Sequence, residues 1–408
     1  MSKLKLALCA TAFIVSGAAH AAEVSGDAVK IGVLTDMSGP LSSMAGPGSV
    51  AAAEMAIEDF GGEVLGKPVE LLTADHQNKP DIASAVARRW IDQQGVDMLS
   101  DMVSSSVALA VQRLATSKDT MMITTSAATS ALTNEECSPL AIHYVYDTYS
   151  LAAGTAKAVL ANGGKKWFFL TVDYAYGHSL EENTTSVINE LGGTVVGAVH
   201  HPLGTSDMTS YLLQAQATDA DVIALANSGT DFINAISQAA EFGVGRDKQM
   251  VGMLVFLENA HSVGLKAIQG LQFTLAWYWD QSDEAREFAE RFQKRQGKMP
   301  NSLNAGLYSA VTNYLRAVEA AGTDDATAVR EQFAKMKMTD MFHKNAWVRE
   351  DGRVMHDMKL MEAKKPSESN GEWDLFKVAR TIPADEAFMP LSQSECSMVQ
   401  ASAKANAD

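Results

Sequence analysis

The stretch Val29-Lys30-Ile31-Gly32-Val33-Leu34-Thr35-Asp36-Met37-Ser38-Gly39-Pro40 decides the fold. Its first half is a short run rich in β-branched residues, which favour a strand. Its second half is turn chemistry, with an acid, a serine, a glycine and a proline within five residues. From Val50 to Phe60, the residues Ala52, Ala53, Ala56, Ile57 and Phe60 fall on one helical face, and Gly61-Gly62 stops the run. Val69 to Ala74 then reads as a second strand. Asp81 caps a helix running to about Gln94, with Ile82, Val86, Trp90 and Ile91 as its apolar stripe.

The same unit repeats outward from there. Met98 to Val103, a helix from Val107, and Met121 to Thr125 continue it. It restarts with strands at Trp167 to Val172, Thr194 to Val199 and Asp221 to Leu225. Helices lie near His178–Leu191, Met208–Ala217 and Phe232–Phe242. Strands alternating with helices imply parallel sheets covered on both faces, an α/β class of doubly wound type. The chain exceeds what one such core holds, so two lobes are expected. The two blocks divide near residue 147. Lobe 1 is placed at 28–146 with a return segment at about 279–352, and lobe 2 at 147–278 with about 353–395. Residues 397–408 are expected to fray.

The N-terminus sets the compartment. Lys3 and Lys5 precede an apolar core from Leu6 to Val15, and Ala19-His20-Ala21 gives a small-x-small cleavage pattern. Residues 1–21 therefore read as a signal peptide, since the apolar run falls short of the roughly 20 residues a membrane span needs. Cleavage leaves 31 Lys+Arg against 49 Asp+Glu, a balance of −18. Such acidity argues against nucleic acid and anionic membrane surfaces as partners, because both require basic patches. Cleavage also leaves two cysteines, Cys137 and Cys396, and in an oxidising compartment that pair reads as one disulfide.

Signatures of catalysis are missing from the sequence. It holds no G-x-S-x-G, H-E-x-x-H, P-loop or strand-borne G-x-G-x-x-G, so neither an enzyme nor a cofactor is expected. His200 and His201 are adjacent on a strand and point to opposite faces, which argues against a metal site. The pairs Glu135-Glu136 and Glu181-Glu182 read as solvated charge. Two groups of small hydroxyl residues stand out at strand ends instead: Ser104-Ser105-Ser106, and Thr124-Thr125-Ser126-Ala127-Ala128-Thr129. In an open parallel sheet, ligands lie beyond the carboxyl ends of the strands. A helix N-terminus there offers free N–H groups suited to a carboxylate. Serines before helices are also ordinary N-caps, but two such clusters on neighbouring strands favour a carboxylate cradle.

These residues carry a resemblance. The chain resembles the type I periplasmic binding proteins of the leucine/isoleucine/valine-binding branch over essentially its whole mature length. The match runs through Ile31–Pro40, Ala51–Gly62, Val103–Ser106, Met122–Thr129 and Asp173-Tyr174-Ala175-Tyr176-Gly177. The resemblance implies two α/β lobes joined by three hinge crossings, closing on a small carboxylate that is delivered to an inner-membrane ABC permease. It implies a monomeric periplasmic protein and places the carboxylate on Ser104, Ser105, Ala127, Ala128 and Thr129. Tyr176 would cover the ligand from lobe 2, with Ser228 and Phe256 beside it. Ser228 stands where the family carries a tyrosine, and Glu258 is the nearest equivalent of the family's acidic partner for an amino group. Without a carboxylate facing the ligand, an ammonium group would be costly to bury. The ligand is accordingly a hydrophobic amino acid or an aromatic acid, and Trp277-Tyr278-Trp279 and Lys364–Ser369 suit the latter. The same clamp would serve a sensor passing occupancy to a membrane receptor or kinase. A cleft enzyme such as an amidase is the remote alternative.

Overall fold

The computed structural model describes residues 24–405, so the expected signal peptide lies outside the described residues. The first block forms a six-stranded sheet. Its strands are β1 (Val29–Thr35), β2 (Glu63–Val64), β3 (Lys67–Asp75), β4 (Met98–Asp101), β5 (Met121–Thr124) and β6 (Ala141–His143). They lie in the order β2-β3-β1-β4-β5-β6, all parallel except the β2–β3 hairpin. The chain builds outward from β1 in both directions, and the strand order reverses between β1 and β4. β1 is buried along almost its whole length because helices cover both faces.

The second block repeats this design. β7 (Lys166–Val172), β8 (Thr194–His201), β9 (Val222–Ala226) and β10 (Gln249–Gly252) lie parallel in the order β10-β9-β7-β8. Here the order reverses between β7 and β9. Loops beyond the ends of these strands diverge and leave a crevice, the usual place for a ligand. Within β8, His201 is fully buried and His200 faces out, as strand alternation requires.

The remaining strands form small antiparallel sheets. β11 (Gln272–Leu275), β14 (Met358–Ala363) and β15 (Phe376–Ile382) pair in the order β11-β14-β15, and β12 (Trp347–Val348) pairs with β13 (Val354–Met355). The three-stranded sheet packs on helix Thr148–Ala161. Gly154 makes that approach possible, since a Cβ there would lie 2.3 Å from the Thr274 hydroxyl. Helix Ser302–Ala321 packs instead on helix Gly46–Phe60, where Tyr308 and Arg291 both bond Asp59. The helix expected over Asp81–Gln94 begins at Pro80, and its last turn, Trp90–Gln94, is a π-turn. Its buried stripe is Ala83, Ala87 and Trp90, because the small alanines let the helix sit close to the sheet while Ile82, Val86 and Ile91 lie at its margin.

Buried polar ties join distant segments where the chain passes between the blocks. Arg353, fully buried, donates from Nη1 to the Tyr146 carbonyl at 2.9 Å and lies 3.7 Å from Asp147 Oδ2. His356 Nε2 meets the Val145 carbonyl at 2.7 Å. Cys137 and Cys396 are disulfide-bonded with a Cα separation of 5.6 Å, fastening the C-terminal segment to the first block. The last described stretch, Ser397–Ala405, is helical and mostly exposed. Among the described residues, no helix is long and apolar enough to cross a membrane.

Candidate functional site

A narrow cavity lies where the strand ends of the two blocks converge. From the first block, the loops after β1, β4 and β5 contribute Leu41, Met44, Val103, Ser105, Ser126 and Ala128. The second block contributes Val172, Tyr174, Tyr176, Leu203, Ser228 and Asp231, together with Leu254 and Phe256 after β10. Tyr146 and Leu303 complete the wall.

The first-block wall is built from the end of β4. Asp101 and Met102 both have positive φ, 80° and 52°, a conformation rare for residues other than glycine and tolerated where the surroundings hold it. This turn sends the chain into helix Ser105–Thr116 with its N-terminus at the cavity. Ser104 occupies the N-cap position in extended backbone, yet its hydroxyl makes no capping bond. The Ser105 hydroxyl accepts from Thr129 N at 3.2 Å, so its own proton is left to donate. Beneath Ser126 lies the buried Asp101 carboxyl, which accepts from the Ser126 hydroxyl and, at 3.4 Å, from Thr125. Burial holds that carboxyl above its usual range. The Ala127 carbonyl takes a hydrogen bond from His143 Nε2 at 2.8 Å, and the Ala128 carbonyl one from Thr148 N at 2.7 Å. Burial lowers the pKa of His143, keeping it neutral.

The second-block wall presents phenols and one acid. Helix Ala175–Glu190 starts directly under Val172, and a Cβ on Gly177 would fall 1.9 Å from the Val172 carbonyl. Only glycine allows that approach, which delivers Tyr176 to the cavity. Tyr176 is 4% exposed, and its hydroxyl has no hydrogen-bond partner among the described residues. Burial raises the phenol pKa, so the group remains a donor at neutral pH. Ser228 is the N-cap of helix Gly229–Phe242 and lies 3.7 Å from the Met44 sulfur across the cleft. Gly229 has φ 62°, the left-handed conformation that turns β9 into this helix. Asp231 follows in the first helical turn, 1% exposed. One of its oxygens accepts from Gly204 N at 3.2 Å, and the other has no partner among the described residues. Burial pushes its pKa up to about 6.

The cavity thus brings together Ser105, Ala128, Tyr176, Ser228 and Phe256 from the expected set. Ser104, Ala127 and Thr129 are buried immediately behind that wall. Glu258 stands apart: it accepts from Asn301 Nδ2 at 2.8 Å, behind Met44, and burial pushes its pKa up to about 7. The aromatic run Trp277–Trp279 also lies off the cavity. Trp277 Nε1 donates to the Met341 carbonyl at 3.1 Å, while Tyr278 and Trp279 both donate to the Trp373 carbonyl. These rings have their polar atoms tied to backbone and serve as core. Ser126, from the hydroxyl cluster, also lines the cavity, as do Tyr146, Tyr174 and Asp231, which the sequence reading did not single out as site residues. For Asp231 a signal existed, because an N-cap and the third helical residue share a face and Ser228 was already placed at the cleft. Among the described residues, no cluster of His, Cys, Asp or Glu is arranged to hold a metal ion.

Residues 28–372 match the model of a family described as periplasmic binding protein. The chain belongs to that family. A crystal structure of a periplasmic binding protein from Burkholderia mallei is 47% identical, with a TM-score of 0.90 over 91% of this chain and 99% of that one. A branched-chain amino acid ABC transporter periplasmic ligand-binding protein from Burkholderia xenovorans is 40% identical, with a TM-score of 0.81 over 91% and 100%. The Leu/Ile/Val-binding protein homolog 6 of Brucella melitensis is 27% identical over 340 residues, 81% of this chain and 85% of its own. Two more distant structures share the fold. One is a Rhodopseudomonas palustris solute-binding protein in complex with benzoate, at 18% identity and TM-score 0.80 over 91% and 99%. The other is a leucine-binding protein from Thermotoga maritima, at 23% and 0.76 over 88% and 99%. This periplasmic binding protein is therefore of type I, in the Leu/Ile/Val-binding branch, and its relatives are solute-binding proteins rather than enzymes.

Proposed function

We propose that this periplasmic binding protein is the solute-capturing component of an ABC importer, taking a small carboxylate into the cleft and closing on it without chemical change. In this reading the signal peptide exports the chain to the periplasm. Lobe 1 (28–146 with about 279–352) and lobe 2 (147–278 with about 353–395) close as a monomer, and the inner-membrane permease recognises the closed form. The observation that carries the reading is the cavity between the two strand-order reversals, with hydroxyl and N–H donors on one wall and phenols on the other. Neutral donors hold an anion without a fixed opposite charge, which keeps release possible.

The carboxylate is assigned to Ser104, Ser105, Ala127, Ala128 and Thr129, at the N-terminus of helix Ser105–Thr116. Tyr176, Ser228 and Phe256 cover it from lobe 2. Leucine- and benzoate-binding proteins of the same fold support a hydrophobic amino acid or an aromatic acid as ligand. The deciding experiment is a thermal-shift screen of the mature protein against aliphatic amino acids and aromatic acids. A ligand at 100 times its Kd stabilises the folded protein by about 2.7 kcal/mol. A protein whose melting temperature responds to none of these carboxylates would refute the reading.

A further inference from the structure

Asp231 is not accounted for by carboxylate capture alone. It sits on the cavity wall opposite Ser105 and Ser126, almost fully buried, with one oxygen bonded to Gly204 N and the other unpartnered among the described residues. Position in the first turn of helix Gly229–Phe242 explains the presence of an acid there, through the helix dipole. It does not explain an unpaired buried oxygen on a residue that lines the cavity, since a buried carboxylate left half satisfied is costly. No lysine or arginine lines the cavity to compensate it, and the neighbouring wall at Val172, Leu203 and Leu254 is apolar. Neither Tyr174 nor Tyr176, the phenols on this wall, bonds Asp231, so a ligand can supply the missing donor.

Resting on the carboxylate-capture reading, we infer that Asp231 is a specificity-determining acceptor for a donor group, a hydroxyl or a protonated amine, on the side of the ligand that faces lobe 2. The two walls then complement a two-ended molecule. Lobe 1 donates to the carboxylate, and Asp231 accepts from the other polar group. Tyr176, whose hydroxyl is also unpartnered among the described residues, supplies a further donor on the same cavity wall. A purely hydrophobic acid would leave the Asp231 oxygen unpaired on closure, and sites built to pair a polar group discriminate strongly against analogues that lack it. Glu258 does not line the cavity, and one of its oxygens is held by Asn301.

The test is isothermal titration of the mature protein with two matched pairs: benzoate against 4-hydroxybenzoate, and 4-methylpentanoate against leucine. Wild type should bind one donor-bearing member at least tenfold more tightly than its plain partner. The phenol pair or the amine pair showing the preference identifies which donor Asp231 receives. Asp231→Asn should bring that ratio close to one with the melting temperature retained. Equal affinities within both pairs for wild type would overturn the assignment of Asp231 while leaving carboxylate capture intact. A variant that loses affinity for plain and donor-bearing acids alike would overturn it too, marking Asp231 as structural. Binding of none of the four overturns carboxylate capture itself, and the assignment with it. The wild-type ratios stand as a test even if the variant fails to fold.

Discussion

Asn183 offers a test of closure that leaves the ligand's surroundings untouched. It lies on helix Ala175–Glu190 outside the cavity wall and donates from Nδ2 to the Ser130 hydroxyl and to the Thr148 hydroxyl, each at 3.0 Å. Ser179, one turn earlier, meets Thr148 at 2.7 Å and Ser130 at 3.3 Å. In the proposed division Ser130 belongs to lobe 1, whereas Asn183, Ser179 and Thr148 all belong to lobe 2, so only the contacts to Ser130 exist solely while the lobes are together. The one Asn183 bond that crosses, to Ser130, contributes about 0.5–1.5 kcal/mol net. Asn183→Ala should lower the closure constant by that amount, roughly 2- to 12-fold. If ligand is held in the closed form, its apparent Kd rises by the same factor for every ligand tested. The unliganded protein should lose little, since the better helix propensity of alanine, about 0.5 kcal/mol, offsets the Thr148 bond lost within lobe 2. Titration calorimetry gives the affinity, and the melting temperature without ligand gives the control. An unchanged Kd would refute the reasoning, and so would a rise confined to one ligand.

Other perturbations follow from the same geometry. Ser104→Ala and Ser105→Ala should each weaken carboxylate binding by about 1–3 kcal/mol, as for lost hydrogen bonds to a charged group. Titration with unchanged affinity in both would move the cradle elsewhere. Arg353→Met removes the cation beside the buried Asp147 and should destabilise the fold by about 3–5 kcal/mol in denaturant titration, because a buried carboxylate is left unpaired. Asp97 is pushed by burial up to about 7 from an ordinary value of 3.8. Between those values the folded chain holds a proton that the unfolded chain has released, so this carboxyl's contribution declines as pH rises through the window. The stability of Asp97→Asn relative to wild type should accordingly increase from pH 4 to pH 7 and level off above about pH 8, read from paired melting curves.

The alternation of strand and helix was legible because parallel strands covered on both faces must be short continuous apolar runs, and Val29–Leu34 and Trp167–Val172 are such runs. The serine clusters were legible for a related reason: strand-end loops need hydroxyl and glycine chemistry to turn. The antiparallel sheet of β11, β14 and β15 was not, since the Met358–Ala363 strand is buried at alternate and adjacent positions alike and lacks a clean period. The aromatic run at Trp277–Trp279 suggested a ligand floor. What places it in the core is a set of carbonyls at Met341 and Trp373, remote in sequence.

Glu258 and Asp231 show why the polar half of the site resists reading from sequence. Both are acids in the first turn of a helix after a second-block strand, and both are held above their ordinary pKa by burial. Their difference lies in the second oxygen, which in Asp231 is buried without a partner while Glu258 keeps partial exposure. Glu258 is met by Asn301, 43 residues later, whose amide also binds the Met44 carbonyl and so belongs to the first-block framework. Asp231 is met by the backbone at Gly204 and Thr205, and its Oδ1 is left without a partner among the described residues. An acceptor already paired within the protein gains little from a ligand, while an unpaired one recovers its whole desolvation cost when a donor arrives. Residue type and spacing cannot reveal that distinction, because satisfaction is decided by groups brought in from elsewhere in the chain. The carboxylate that matters for specificity is the one the fold leaves incomplete.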